Sequence, residues 1–138
     1  MNKRYLAIDY GTVRIGLATA WAGFAEPLTV LPNNEQLFPN LAKVVTEQQP
    51  EVIVVGLSEK EMAEQSRQFA QRLRAYLEQE LGIAPVFAFA DETLSSVEVQ
   101  EKLRQAGHRD LRQGVIDHYA AAQFLQDYLD LHQSAETQ

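Results

Sequence analysis

Three hydrophobic runs in this chain finish in a carboxylate: Leu6-Ala7-Ile8-Asp9, Phe89-Ala90-Asp91-Glu92 and Val115-Ile116-Asp117. A strand that ends in an acid delivers that acid to the edge of a sheet. Several acids brought to one edge make a set of hard oxygen ligands suited to Mg²⁺ or Mn²⁺. Up to two such ions would clamp the attacking and leaving oxygens of a phosphodiester, so the chemistry these residues could do is metal-dependent phosphoryl transfer. Asp9 precedes Tyr10-Gly11-Thr12-Val13-Arg14-Ile15-Gly16, a turn and a second strand with glycine at both ends. A lone Asp in a turn often only caps nearby amides. Here Gly11 already supplies the turn chemistry, which frees Asp9 for a ligand role. Asp91 and Glu92 are adjacent and point to opposite sides of an extended backbone, so one of them faces the cluster, and Glu92 is the better candidate. Asp117 falls in the first turn of a helix, where the helix dipole alone would favour an acid. The apolar Val115, Ile116, Ala120, Ala121 and Phe124 nevertheless tie that helix start to the core. Glu59, after the Gly56-Leu57-Ser58 turn, is a rival ligand, although Glu61 and Glu64 beside it read as a solvated face.

The elements that must position these residues follow from periodicity. Tyr5–Asp9, Arg14–Ala20 and Phe24–Leu31 read as three strands joined by tight turns, with Pro27 placing the third at an edge or bulge. Pro32-Asn33-Asn34 breaks the chain. Leu37, Leu41, Val44 and Val45 recur at helical spacing up to Pro50. Val52–Val55 is a β-branched run of the kind found in a strand buried on both faces. Phe69, Leu73, Tyr76 and Leu77 mark one face of a long helix from Met62 to Leu81, capped by Gly82. Pro85–Ala90 reads as a fifth strand. Ser95 and Glu98 form a capping box for a helix to about Ala106, and a last helix runs from about Gly114 to His132, with 134–138 a frayed tail. The expected architecture is one α/β domain over residues 1–138. It is a mixed five-stranded sheet, antiparallel over its first three strands and then parallel, with helices on both faces. Ligands in such sheets collect at the carboxyl ends of the parallel strands, where Asp9 and Asp91-Glu92 lie.

Composition narrows the function classes. An apolar fraction of 46% and a charged fraction of 22% are those of a soluble globular domain. The chain contains no cysteine, which excludes disulfides and thiolate zinc sites. No apolar run approaches the ~20 residues that span a bilayer, and the run after Met1-Asn2-Lys3-Arg4 is too short for a signal peptide. The expectation is a cytoplasmic protein with no membrane partner. The net charge of −7 argues against a protein that coats nucleic acid non-specifically. Charge is unevenly spread, however: Lys102, Arg104, His108, Arg109 and Arg112 fall within eleven residues. Arg14 could hold a phosphate through paired hydrogen bonds. Gly16 would let a substrate or a neighbouring backbone come close. The three histidines lack metal-ligand spacing, and there is no Ser-His-Asp order, Walker loop or Rossmann fingerprint.

With the acids placed, the chain resembles the YqgF/RuvX family, whose members have an RNase H-like fold. The resemblance covers nearly the whole length. It is carried by Ile8-Asp9-Tyr10-Gly11-Thr12-Val13-Arg14-Ile15-Gly16-Leu17-Ala18, Val54-Val55-Gly56-Leu57, Asp91-Glu92-Thr93-Leu94-Ser95-Ser96, and Val115-Ile116-Asp117 with Ala120-Ala121 and Leu125-Gln126-Asp127-Tyr128-Leu129. It implies a bacterial nuclease linked to maturation of the 5′ end of 16S ribosomal RNA, also described as a Holliday-junction resolvase. It also implies that Asp9, Glu92 and Asp117 form the acidic, metal-holding triad. The chain departs from the family pattern at Ser58, at Ala63-Glu64-Gln65-Ser66, at Thr93 and at Gln113. The resemblance implies that each departure would remove a contact to phosphate or to the loop that touches it.

The resulting expectation is a Mg²⁺- or Mn²⁺-dependent nuclease acting on precursor 16S ribosomal RNA, with Gly11, Arg14, Gly16, Arg109 and Arg112 along the substrate and the ribosome as a further partner. The rivals are a junction resolvase, which would need a symmetric dimer, and a catalytically silent nucleic-acid-binding module. Asp9-Tyr10-Gly11-Thr12 also resembles the phosphate loop of actin-like kinases. Those enzymes need two lobes, and this chain has length for one.

Overall fold

The computed structural model describes residues 3–57, 60–91 and 113–136. Five strands, β1 (Tyr5–Asp9), β2 (Arg14–Trp21), β3 (Phe24–Pro32), β4 (Val52–Leu57) and β5 (Val86–Asp91), form one sheet in the order β3-β2-β1-β4-β5. β1 pairs antiparallel with β2, and β2 with β3. β4 runs parallel to β1, and β5 parallel to β4. Each parallel step is crossed by a helix, α1 (Leu37–Gln48) between β3 and β4 and α2 (Lys60–Leu81) between β4 and β5. A third helix, α3 (Gln113–Glu136), follows. The mixed five-stranded sheet expected from the sequence is therefore present.

Side-chain alternation divides the sheet into two faces. Leu6, Ile8, Ile15, Leu17, Ile53 and Val55 meet Leu41, Val45, Phe69, Leu73 and Leu77 of α1 and α2 in one core. Ala7, Ala18, Ala20, Val52 and Val54 meet Ala121, Phe124, Leu125 and Leu129 of α3 in the other. The second face is built from small residues because α3 lies close to it. The closest approach is at Gly56, where a Cβ would stand 2.8 Å from the Phe124 ring.

The local signals read from the sequence hold in detail. Gly82 takes φ 66°, with its N–H donating to the Glu78 carbonyl, and so ends α2. β3 lies at the edge of the sheet, and its pairing with β2 shifts register at Leu17/Ala18, opposite Pro27–Thr29, where a proline was expected to force an irregularity. Several boundaries differ: β2 and β3 run one residue further than expected, β4 takes in Gly56 and Leu57, which were expected to turn, and β5 is shifted by one residue. α3 continues to Glu136, through most of the segment expected to fray, and α2 begins at Lys60. The helix expected from Ser95 to Ala106 lies outside the described residues.

The β2–β3 hairpin uses a two-residue turn, Ala22-Gly23, with φ of 57° and 87°. This is the positive-φ geometry that matches strand twist, at a small cost for the non-glycine Ala22. The Gln126 side chain of α3 secures it: its Oε1 accepts from the Ala25 N–H at 2.9 Å, and its Nε2 donates to the Gly23 carbonyl at 3.0 Å. On α2, Ser66 is 1% exposed and its hydroxyl has no hydrogen-bond partner among the described residues. An unsatisfied buried hydroxyl costs about 1–3 kcal/mol.

Candidate active site

Asp9 is the last residue of β1 and stands half-buried at the carboxyl edge of the sheet. It alternates with Ala7, and therefore lies on the α3 face. Its antiparallel partner is Gly16, which is buried and leaves the space beside the carboxylate clear of a side chain. Ile8 pairs with Val55, one residue before Gly56. The central strands thus present two glycines and one acid at this edge.

The turn after Asp9 is held from outside. Asn33, at the end of β3, donates from Nδ2 to the Gly11 carbonyl at 2.8 Å, and its backbone N–H donates to the Val13 carbonyl at 2.9 Å. Gly11 is required by packing: a Cβ there would lie 2.5 Å from the Arg14 carbonyl oxygen. Arg14 opens β2 directly across this turn, opposite Pro32. Asn33 is the positioning residue that sequence reasoning missed, since Pro32-Asn33-Asn34 reads only as a break. The signal that could have found it is the habit of Asn side chains of bonding backbone in turns.

The direction of α3 places its first turn at the same edge. Tyr128 packs edge-on against Tyr5, at the amino end of β1, with ring centroids 6.2 Å apart. Phe124 covers Gly56, near the carboxyl end of β4. Tracing α3 backward therefore leads towards and past the carboxyl edge. Position 117 precedes Ala121 by four residues and Phe124 by seven, which is the spacing of one helical stripe. Ala121 and Phe124 pack on the sheet, and two turns amount to roughly 10 Å of rise. Burial raises the pKa of the Tyr128 hydroxyl above its ordinary value, but Tyr128 lies at the opposite end of the sheet from Asp9.

On β5, Phe87 packs with the α1/α2 core, while Ala88 and Ala90 pack with the α3 core. Asp91 closes the strand opposite Leu57. Glu92, Arg109, Arg112 and the rival Glu59 lie outside the described residues, as does the side chain of Asp117. Among the described residues, no three acids or histidines cluster closely enough to hold a metal ion. Asp9 is the one member of the expected triad whose side chain is described. The donors that the sequence supplies at this edge are carboxylate oxygens in a chain without cysteine, a set that fits Mg²⁺ or Mn²⁺ and not a thiolate-bound metal.

A family model described as RuvX, Holliday junction resolvase, matches residues 3–131. The chain belongs to the RuvX family. Membership places it among nucleases, the hydrolases of phosphodiester bonds. RuvX relatives support the assignment over most of their length. A protein of Oleidesulfovibrio alaskensis named "Putative pre-16S rRNA nuclease" is 39% identical over 93% of this chain and 92% of its own. Proteins of the same name from Nitrosospira multiformis and Nitratidesulfovibrio vulgaris are 37% and 34% identical, over 91% and 97% of this chain and 86% and 98% of theirs. Among solved structures, Thermus thermophilus RuvC in complex with a Holliday junction superposes with a TM-score of 0.58 at 15% identity, covering 96% of each chain. The fowlpox virus resolvase bound to junction DNA gives 0.54 at 10% identity, covering 92% of this chain and 97% of its own. At such identities the likeness shows the fold, which is RNase H-like. Among the described residues no helix of this RuvX chain is long and apolar enough to cross a membrane.

Proposed function

We propose that this RuvX protein is a metal-dependent nuclease that trims the 5′ end of precursor 16S ribosomal RNA. The observation that carries the reading is Asp9, held at the carboxyl edge of the sheet opposite a bare glycine. The substrate is taken from the names of relatives that share about a third of their residues with this chain over most of both lengths.

Asp9, Glu92 and Asp117 would hold one or two Mg²⁺ or Mn²⁺ ions. Glu92 stands two residues beyond Ala90, and in an extended chain that parity favours the α3 face over Asp91. Bound there, a divalent cation supplies Lewis-acid charge at the phosphodiester and eases ionisation of a water. The chain's own residues do the rest. Asp9 would fix the cation, and through it the reacting phosphate, relative to the sheet. Arg14, Arg109 and Arg112 hold backbone phosphates without reading sequence. Gly11 and Gly16 keep the approach open. A net charge of −7 suits a substrate presented on a ribosomal particle better than free duplex captured by charge alone. For such a cut a monomer suffices.

The family description favours a second reading, cleavage of four-way DNA junctions, which would require a symmetric dimer. The two are separated by incubating an end-labelled precursor 16S fragment and a labelled junction with the protein in Mg²⁺, Mn²⁺ or EDTA. The proposal predicts cleavage of the RNA near the mature 5′ end, dependent on the cation, with the junction intact. Junction cleavage with intact RNA would establish the resolvase. Cleavage of neither by folded, metal-supplied protein would overturn both.

A further inference from the structure

On the α1/α2 side of the sheet, away from Asp9, a cavity of about 200 Å³ runs between α2 and the edge strand β5. It is lined by Arg67, Ala70, Gln71 and Arg74 of α2 and by Phe87 and Phe89 of β5. The Arg74 guanidinium stands over the Phe87 ring, 6.0 Å from its centroid. Phe89, two residues along the same strand, is 41% exposed. Among the described residues no carboxylate lines the cavity, although the chain carries 19 acids against 12 basic residues. Glu64 and Glu78 stand beyond its two ends on the same stripe of α2. Neither arginine is ion-paired among the described residues.

We infer that this groove holds an unpaired RNA strand continuing from the cut site, and the inference rests on the nuclease reading above. Two guanidiniums seven residues apart on one helix face are separated by about 10 Å along the axis. They offer phosphate contacts at a pitch that a flexible single strand can follow. Aromatic faces beside arginines are the pair of features that hold single strands without sequence preference, through stacking and charge. The cavity is smaller than the roughly 300–1,000 Å³ that encloses a drug-sized ligand, and accepts a planar ring and not a whole small molecule. Its position is also apt. α2 starts just beyond the carboxyl end of β4, so Arg67 lies nearer that edge than Arg74. Phe89 is two residues from the end of β5, and β5 lies two strands from β1, about 10 Å across the sheet. A strand leaving the edge at Asp9 can pass over the end of β5 and down this groove.

The test is fluorescence anisotropy of a 5′-labelled twelve-nucleotide oligo(U) RNA on the full chain in EDTA, where no turnover occurs, as a function of salt. Arg67→Gln/Arg74→Gln is expected to weaken binding at least tenfold at 100 mM salt. It should also make the slope of log affinity against log salt shallower by about 1.4, the value for two phosphate contacts to a single strand. Phe89→Ala should weaken binding roughly fivefold or more, as loss of one stacked base does. Arg72→Gln, two residues from Arg74 and so on the far side of α2, should bind as wild type. Wild-type affinity and slope in the double variant, or an equal loss per charge in Arg72→Gln, would overturn the groove. Because binding is read without cleavage, failure of the nuclease reading would appear instead in the cation-dependent assay, which this result leaves untouched.

Discussion

Replacing Asp9 by Asn is expected to lower cation-dependent cleavage at least about 10³-fold, the several kcal/mol that a lost metal-holding carboxylate costs a hydrolytic transition state. The exchange is nearly isosteric, and the site lies at the end of β1, outside both cores. Folding should therefore survive, with a change of about 1 kcal/mol or less in urea denaturation. A cation bound only by the folded protein stabilises it, so added Mn²⁺ should raise the stability of the wild type and not that of Asp9→Asn. An Asp9→Asn protein that cleaves at the wild-type rate under matched metal would remove the acid from the mechanism.

Gly11→Ala should be nearly as damaging by a different route. Its Cβ would lie 2.5 Å from the Arg14 carbonyl oxygen, an impossible approach to a backbone atom that cannot rotate away. The turn would have to open. Yet both of its sides are tied to Asn33, through the Gly11 and Val13 carbonyls. The opening would fall on Asp9 and Arg14, which flank the turn. A displacement of about 1 Å at a reacting centre costs on the order of 10²-fold, and that is the expected loss in kcat/KM. A stability loss of about 1–3 kcal/mol should accompany it. Thr12→Ala, an exposed residue in the same turn, should change stability by no more than about 0.5 kcal/mol. Steady-state cleavage and denaturation of the two variants side by side check this. Gly11→Ala retaining activity within threefold would mean that the turn does not position Asp9.

How much of this was legible beforehand depended on whether a feature is written locally. The β-branched run at 52–55 announced a strand buried on both faces, and Val52 to Val55 are all buried. Phe69, Leu73 and Leu77 marked the inward stripe of α2, and Gly82 its end. The order of strands followed from hairpins and crossovers. What could not be read were contacts between residues far apart in the chain. Gly56 looked like a strand terminator, but its lack of a side chain is what admits Phe124. Gln126 holds a hairpin turn more than 100 residues earlier, and no spacing rule connects them. Asn33 secures the Asp9 turn although it belongs to the other end of β3. The groove of Arg67, Arg74, Phe87 and Phe89 likewise needs α2 and β5 side by side before two ordinary surface arginines acquire meaning. Of the acids, Asp9 stands where its strand ending implied. Glu92 and the Asp117 side chain remain assignments from motif and register.

The most direct test of the acidic site is the affinity of the protein for Mn²⁺, read from the EPR signal of the free ion, in the wild type, Glu92→Gln and Asp117→Asn. If Asp9, Glu92 and Asp117 share one metal site, each variant should bind Mn²⁺ at least tenfold more weakly while melting cooperatively like the wild type. Wild-type Mn²⁺ affinity in both Glu92→Gln and Asp117→Asn would contradict the shared site and remove both acids from the metal-holding set.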